Sequence, residues 1–253
     1  MPSDFENIDF PILKKAPLTE ALIDIQAKLP ENIEVAALRN LQTVESDRFT
    51  KIEPRGSVEG HIHLDQEGAH FEGGGPLKPD GFIFSSDSEQ LRVQARLDGF
   101  TISKLPPYSD WESLLFDAKN LWEAYIKAAH PVSVTRLAVR YINKFDLTPN
   151  RDFKEFLLTV PEIAPGLPQS LPDFLMRLVV PHESGAIAVI TESSAPREAD
   201  APNYPMILDI DVFRSVELSA DDPEIWSILG ELRAYKNLIF FKSLTPEFLE
   251  NFR

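Results

Sequence analysis

Three of the five histidines in this 253-residue chain stand between residues 61 and 72, interleaved with carboxylates. Strand alternation puts the first two of these histidines and Asp65 on one face. A two-residue turn at 67–68 would pair Asp65 with His70 and His63 with Glu72. Nitrogen and oxygen ligands of this kind suit zinc, iron or manganese. The residues of this candidate metal site are His61, His63, Asp65, His70 and Glu72.

The same segment has a plainer interpretation as the exposed polar face of an antiparallel hairpin. A one-residue slip in the turn disperses the cluster over both faces. The following run, residues 73–76, is Gly-Gly-Gly-Pro and lacks the lysine-serine/threonine ending of a phosphate loop, so we interpret it as a connector. No cofactor is therefore expected, with a divalent metal at the hairpin as the alternative.

A second constellation consists of charges on the polar faces of predicted strands. The first half has an acidic opening strand and a basic last strand, and the second half reverses these signs. Neighbouring strands of this kind form cross-strand ion pairs, each contributing about 0.2–1 kcal/mol. The alternative is a polar groove for a charged ligand, lined by Arg136, Arg140 and Asn143. The charged residues are Glu20, Asp24, Arg92, Arg96, Arg136, Arg140, Asp209 and Asp211.

Two aromatic residues, Tyr108 and Trp111, stand where a strand gives way to a predicted helix. They are interpreted either as an exposed patch that contacts a partner or as packing of this junction. Motifs of nucleophilic catalysis are missing from the sequence, since it has no cysteine and no G-x-S-x-G elbow. The sequence therefore leans away from an enzyme and names no catalytic residue.

The composition favours a folded, acidic protein of a reducing compartment. Hydrophobic residues make up 43% of the chain, enough for a substantial core. The net charge is −15, of which residues 1–130 contribute −9 (13 basic and 22 acidic residues) and the remainder −6 (12 and 18). Such a surface disfavours nucleic acid, which binds through lysine and arginine, and fits a basic protein partner. With no secretory signal and no apolar run of about 18 residues, we expect a cytoplasmic location and no membrane association.

Hydrophobic periodicity predicts an α+β fold built from two pseudo-repeats of β-α-β(3-4)-α. The expected architecture is a curved antiparallel sheet with long helices on one face, as in TATA-binding-protein-like or helix-grip folds. The halves are 1–130 and 131–253, packed as one compact unit. Strands are predicted at 18–29, 58–65, 69–72, 81–86, 89–104, 132–145, 172–180, 186–192 and 205–217, and helices at 33–44, 109–126, 152–160 and 222–238. A short terminal helix is predicted to start at Thr245-Pro246-Glu247.

Four phrases resemble a sporadically distributed, uncharacterised bacterial protein family. They are APLTEA (16–21), DGFTISKLPPYSDWE (98–112), RLAVRYIN (136–143) and NLIFFKSLTPE (237–247). The resemblance spans nearly the whole chain and implies no catalytic residue. Its patchy distribution implies an accessory gene, of the kind found in toxin–antitoxin pairs or phage-defence islands.

The sequence thus predicts a non-catalytic protein-binding or regulatory module, such as an antitoxin-like or phage-defence component. Its partner would be a protein, basic and encoded nearby, and a homodimer stays open. The alternative is a small-ligand-binding or metal-dependent enzyme, which would use the His61/His63 hairpin or a groove near Arg136 and Arg140.

Overall fold

A computed structural model describes residues 10–41, 48–57, 60–65, 68–73, 78–108, 110–148, 151–196 and 202–253, with the backbone alone from 57 to 77. Within these ranges eleven strands form. They are β1 (Leu18–Lys28), β2 (Lys51–Ser57), β3 (Gly60–Asp65), β4 (Gly68–Gly73), β5 (Lys78–Ser86), β6 (Leu91–Arg96), β7 (Gly99–Lys104), β8 (Ser133–Leu147), β9 (Leu175–Pro181), β10 (Ile187–Ser194) and β11 (Tyr204–Leu218).

Nine strands form a single antiparallel sheet in the order β2-β5-β6-β7-β1-β8-β11-β10-β9, and β3 and β4 form a separate hairpin. The β1–β8 pairing, with Asp24 opposite Ala138, joins the strands on either side of residue 130. Both predicted halves therefore contribute to one continuous sheet.

In the part of the chain that the structure describes, three α-helices accompany the sheet: α1 (Trp111–Ala129), α2 (Glu224–Ser243) and α3 (Pro246–Leu249). The Asp110 carboxylate caps α1 by accepting a hydrogen bond from the Ser113 amide at 2.7 Å. Helix α3 begins as predicted, with Thr245 capping the Phe248 amide at 3.3 Å. Among the described helices none is long and apolar enough to cross a membrane.

Alternation along the strands divides the sheet into two faces. On β1, Ala21, Ile23 and Ile25 are fully buried, whereas the side chains between them are only partly covered. Both long helices pack on the buried face: the rings of Phe100 and Trp122 lie 5.8 Å apart between β7 and α1, and α2 contacts β8 and β11. We call this the helix face and the opposite side the open face.

The predicted fold class was wrong. The chain is dominated by one nine-stranded antiparallel sheet with few helices, so it is not a pair of pseudo-repeats with long helices on a curved sheet. The helices predicted at 33–44 and 152–160 are short 3-10 turns, Val35–Asn40 and Phe153–Glu155, among the described residues. The second of these is ended by a β-bridge between Leu157 and Leu244. The sheet also takes five strands from one side of residue 130 and four from the other.

Strand β2 had no counterpart in the sequence prediction because Pro54 and Gly56 interrupt its pattern. A proline cannot donate to a ladder, but an edge strand tolerates it, since one side of that strand needs no partner. The sequence prediction missed β2 because it is an edge strand: among the described strands, β2 pairs with β5 alone.

Candidate functional site

Six of the eight charged residues that the sequence singled out form ion pairs on the open face. We call these six residues the charged network. Asp24 is on β1, and Arg96 is on β6. The remaining four lie in pairs on the adjacent strands β8 and β11, where register sets Asp211 directly opposite Arg140. The members are Asp24, Arg96, Arg136, Arg140, Asp209 and Asp211.

Asp24 is the centre of the charged network. Its Oδ1 accepts from the Arg96 Nη2 at 2.9 Å and from the Thr101 hydroxyl at 2.6 Å, and its Oδ2 accepts from the Arg136 Nη1 at 3.1 Å. Arg136 extends the charged network by donating a second hydrogen bond, through Nη2, to Asp211 at 3.1 Å. Three of the expected pairs form, namely Asp24–Arg96, Arg136–Asp211 and Arg140–Asp209. The first does not join neighbouring strands, because β7 lies between β6 and β1.

Burial sets the electrostatics of these pairs. Desolvation opposes the charge of Arg96, but the carboxylates of Asp24 and Asp98 outweigh it, and the pKa of Arg96 is raised. Burial raises the pKa of Asp211, although Arg136 and Arg140 counteract it. The Arg136 guanidinium also lies 4.3 Å from the centroid of the Phe213 ring. These arginines are held as cations by the sheet's own carboxylates.

Arg140 makes a separate pair with Asp209, at 2.8 Å through Nε and 2.5 Å through Nη2. This bidentate geometry raises the pKa of Arg140. Its side chain is 41% exposed, against 21% for Arg136. An anionic ligand would have to compete with Asp209 for Arg140, and with two aspartates for Arg136.

The structure does not bring the five predicted ligand or partner residues together. Arg136 and Arg140 lie on the open face, whereas Asn143 is buried on the helix face and donates to the Leu208 carbonyl at 3.1 Å. Tyr108 and Trp111 also lie on the helix side, beside α2. Trp111 is only 6% exposed, so packing of the strand–helix junction accounts for it.

Tyr108 belongs to a second cluster, which sequence reasoning missed in part. Its hydroxyl lies 2.7 Å from the hydroxyl of Tyr141, and the Lys236 Nζ lies 3.6 Å from the centroid of the Tyr141 ring. Burial raises the pKa of Tyr108 to about 12 and lowers the pKa of Lys236, with the nearby Arg233 adding to the latter. A signal existed: Lys236 follows Leu229 and Leu232 at helical spacing, which places it on the apolar stripe of α2.

Glu192 on β10 is a third buried group that the sequence did not single out as a site. It is 1% exposed, and neither carboxylate oxygen has a hydrogen-bond partner in the described part of the chain. Desolvation raises its pKa to about 7. A carboxyl group of this pKa can exchange a proton near neutrality.

The backbone of the histidine hairpin is described, but its side chains lie outside the description. The register pairs His63 with His70 and His61 with Glu72, so the predicted pairing of Asp65 with His70 and of His63 with Glu72 was wrong. Asp65 stands opposite Gly68. Elsewhere in the described residues, no group of three or more histidine, cysteine or acidic residues could hold a metal ion.

Comparison with protein-family models gives no match. Comparison with curated protein sequences gives none either.

Proposed function

We propose that this chain is a non-catalytic protein-binding module with a basic protein partner, of the antitoxin-like or defence-associated kind that its family resemblance implies. The observation that carries the proposal is that Arg136 and Arg140 are both paired with aspartates of the sheet. Each guanidinium is held by aspartates of the same sheet, at 2.5–3.1 Å. A groove for a charged small molecule would instead offer arginines free to donate to the ligand.

The charge of the molecule supports a basic partner. The charged network is balanced, with three arginines against three aspartates, so the net charge of −15 is carried by the rest of the chain. An excess of this size attracts a cationic protein at a distance and accelerates its association, an effect that salt screens.

Co-purification tests this function. The chain, tagged at its chromosomal locus and expressed at its native level, should recover one protein partner in stoichiometric amount at low salt. Raising the ionic strength should weaken the complex. If the chain is recovered alone under both conditions, the proposal of a binding module is wrong.

A second candidate function is metal binding at the hairpin. The register that favours it sets His63 opposite His70 and His61 opposite Glu72, so the four positions share one face of β3 and β4. Elemental analysis of the purified protein tests it, with a His63→Ala/His70→Ala variant as the control. Bound zinc or manganese in the wild-type chain alone would support the site, and equal metal in both would exclude it.

A further inference from the structure

The two edges of the nine-stranded sheet differ in how they are protected. The β2 edge carries Pro54, charged neighbours and a register shift between Arg55 and Gly56, all of which obstruct pairing with another strand. The β9 edge has the sequence Leu-Met-Arg-Leu-Val-Val-Pro, with one charge and a proline only at its end. Among the described strands, β10 alone pairs with β9.

Apolar side chains are exposed along the unprotected edge. Leu175 is 75% exposed, Val179 54% and Val180 37%. Three large apolar residues exposed within six positions of one edge strand differ from the scattered single exposures that are ordinary on protein surfaces. Leu175 and Val179 share one face of β9 with exposed Arg177 between them, and Val180 lies on the opposite face, so both sides of this edge expose apolar groups.

Hydrogen bonds at the two ends of β9 determine which of its backbone groups point outward. The His182 amide donates to the Ala186 carbonyl at 2.8 Å, and the Ser194 amide donates to the Phe174 carbonyl at 3.1 Å. In an antiparallel pair, hydrogen-bonded residues alternate, so the even-numbered residues of β9 bond to β10. The amides and carbonyls of Leu175, Arg177 and Val179 therefore face away from the sheet.

We propose that these three residues, the β9 edge, bind an extended segment of the partner polypeptide as a tenth strand. The inference rests on the proposed protein-binding function and gives it a location. Backbone hydrogen bonds provide affinity in this mode of recognition, and alternate side chains provide specificity. Here the specificity follows from charge. Exposed Asp173, which accepts a hydrogen bond from the Ser194 hydroxyl, precedes the edge, exposed Glu183 lies in the turn that follows it, and Arg177 stands at its middle. The fitting segment has basic ends, an acidic centre and apolar residues between.

A second copy of this chain fits the β9 edge less well. Antiparallel self-pairing about Arg177 would oppose two arginines, and self-pairing about Leu178 would oppose Asp173 of one copy to Glu183 of the other. Self-pairing about Val179 sets Leu175 against Glu183. Each register also brings together two molecules of net charge −15. A partner of opposite charge avoids these costs.

A designed peptide tests the inference directly. The peptide KTVTVTETVTK, paired antiparallel, places glutamate opposite Arg177 and valine opposite Val179, with one lysine beside Asp173 and the other near Glu183 in the turn after β9. Its charge-reversed control is ETVTVTKTVTE. We expect the first peptide to bind at or below about 1 mM and the control at least about tenfold more weakly. On binding, the amides of Leu175, Arg177 and Val179 should become protected from hydrogen exchange.

Two variants distinguish backbone pairing at the β9 edge from nonspecific binding of the peptide. Val179→Pro removes an outward amide that β10 does not use, and Val179→Thr keeps this amide; thermal unfolding of both establishes that they fold. If Val179→Pro does not fold, Leu175→Pro replaces it, with Leu175→Thr as its control, because Leu175→Pro removes another outward amide. Loss of peptide binding in Val179→Pro but not in Val179→Thr supports the inference. No binding of either peptide by the wild-type chain up to about 1 mM overturns it.

Experiments on the natural complex test separately whether the protein binds a partner and whether the partner binds at the β9 edge. If the co-purified partner is retained equally by the wild-type chain and by Val179→Pro, the function stands and the β9 edge is not its site. If no partner is recovered with the wild-type chain, the function itself fails. A concentration-dependent dimer in ultracentrifugation that Val179→Pro abolishes would show self-pairing, which overturns the inference of a partner strand.

Discussion

The amino group of Lys236 lies 3.6 Å from the centre of the Tyr141 ring. The lysine is 6% exposed on α2, and Tyr141 is 7% exposed on β8. An aromatic face attracts a cation, but it does not replace the water that a buried ammonium loses. Burial therefore dominates and lowers the pKa of Lys236.

Replacing this lysine should stabilise the protein. The unfolded chain holds the proton up to a pKa near 10.5, whereas the folded chain releases it at lower pH. Stability should therefore rise with pH between the lowered folded pKa and 10.5. We expect Lys236→Met to gain roughly 1–3 kcal/mol near pH 7, with the gain shrinking as the pH approaches 10.5.

Urea unfolding over a series of pH values measures this difference. Lys242→Met is the matched control, because Lys242 is an exposed lysine in the last turn of the same helix. Its effect should be small and independent of pH. A Lys236→Met variant that is less stable than the wild-type chain at every pH would contradict the interpretation.

Neutralising Asp24 should destabilise the protein more than neutralising any other member of the charged network. Asp24→Asn leaves Arg96 and Arg136 without their shared carboxylate, and these side chains are only 8% and 21% exposed. We expect a loss of roughly 2–4 kcal/mol. Asp209→Asn, whose partner Arg140 is 41% exposed, should lose about 1 kcal/mol or less.

Denaturation midpoints in urea compare the two variants at one pH and salt concentration. The loss for Asp24→Asn should persist at high salt, and the loss for Asp209→Asn should fall. Equal losses of stability in the two variants would mean that the Asp24 carboxylate, although shared by two arginines, stabilises the protein no more than a single surface ion pair does.

The alternation of side chains was sufficient to predict most strands and the charge pairing. On β1, Ile23 and Ile25 alternate with Asp24, so both the buried face and the ion-pairing face could be predicted from the sequence alone. Of the helix predicted at 33–44, residues 42–44 lie outside the described part, and the described residues form a 3-10 helix at Val35–Asn40 with only Leu38 buried. Tertiary packing rather than local spacing stabilises a helix of this length.

The sequence did not reveal Glu192 or the exposed edge at β9, because both depend on which strands lie side by side in the folded chain. Glu192 is surrounded by ordinary strand residues, and its burial without a partner depends on which strands lie beside β10. Strand β9 was predicted, but nothing in its apolar run reveals that it ends a sheet. An apolar strand with neighbours on both sides has the same sequence pattern, so strand order was needed to recognise the β9 edge.

Gly99 should be one of the least replaceable residues of the sheet. Its φ is +148°, and a Cβ added there would lie 2.3 Å from the Ile25 carbonyl oxygen. We expect Gly99→Ala to cost about 2–4 kcal/mol through this clash and the strained backbone. Gly230→Ala is the control, since no atom lies within 4 Å of its added Cβ and the position is helical.

The control should gain about 0.5–1 kcal/mol, the usual preference for alanine over glycine inside a helix. Thermal unfolding measures both variants under the same conditions. A Gly99→Ala variant of wild-type stability would show that β1 and β7 can separate at this position without cost.

Glu192 should make the protein less stable as the pH rises through neutrality. Its pKa is about 7 in the folded chain and 4.5 in the unfolded chain, so the folded state holds an extra proton between these values. Stability should therefore fall from pH 4.5 to about 7 and then level off, because a buried carboxylate without a hydrogen-bond partner must be accommodated. Glu192→Gln removes this dependence.

The gap between Glu192→Gln and the wild-type chain should widen from pH 4.5 to pH 8 by up to about 3 kcal/mol, the equivalent of the shift in pKa. Measuring the change with pH cancels any fixed cost of burying the amide. Glu183→Gln, at an exposed glutamate near the end of β9, should show no such widening. A constant gap across this range would mean that the folded and unfolded chains bind the Glu192 proton equally, which would contradict the raised pKa.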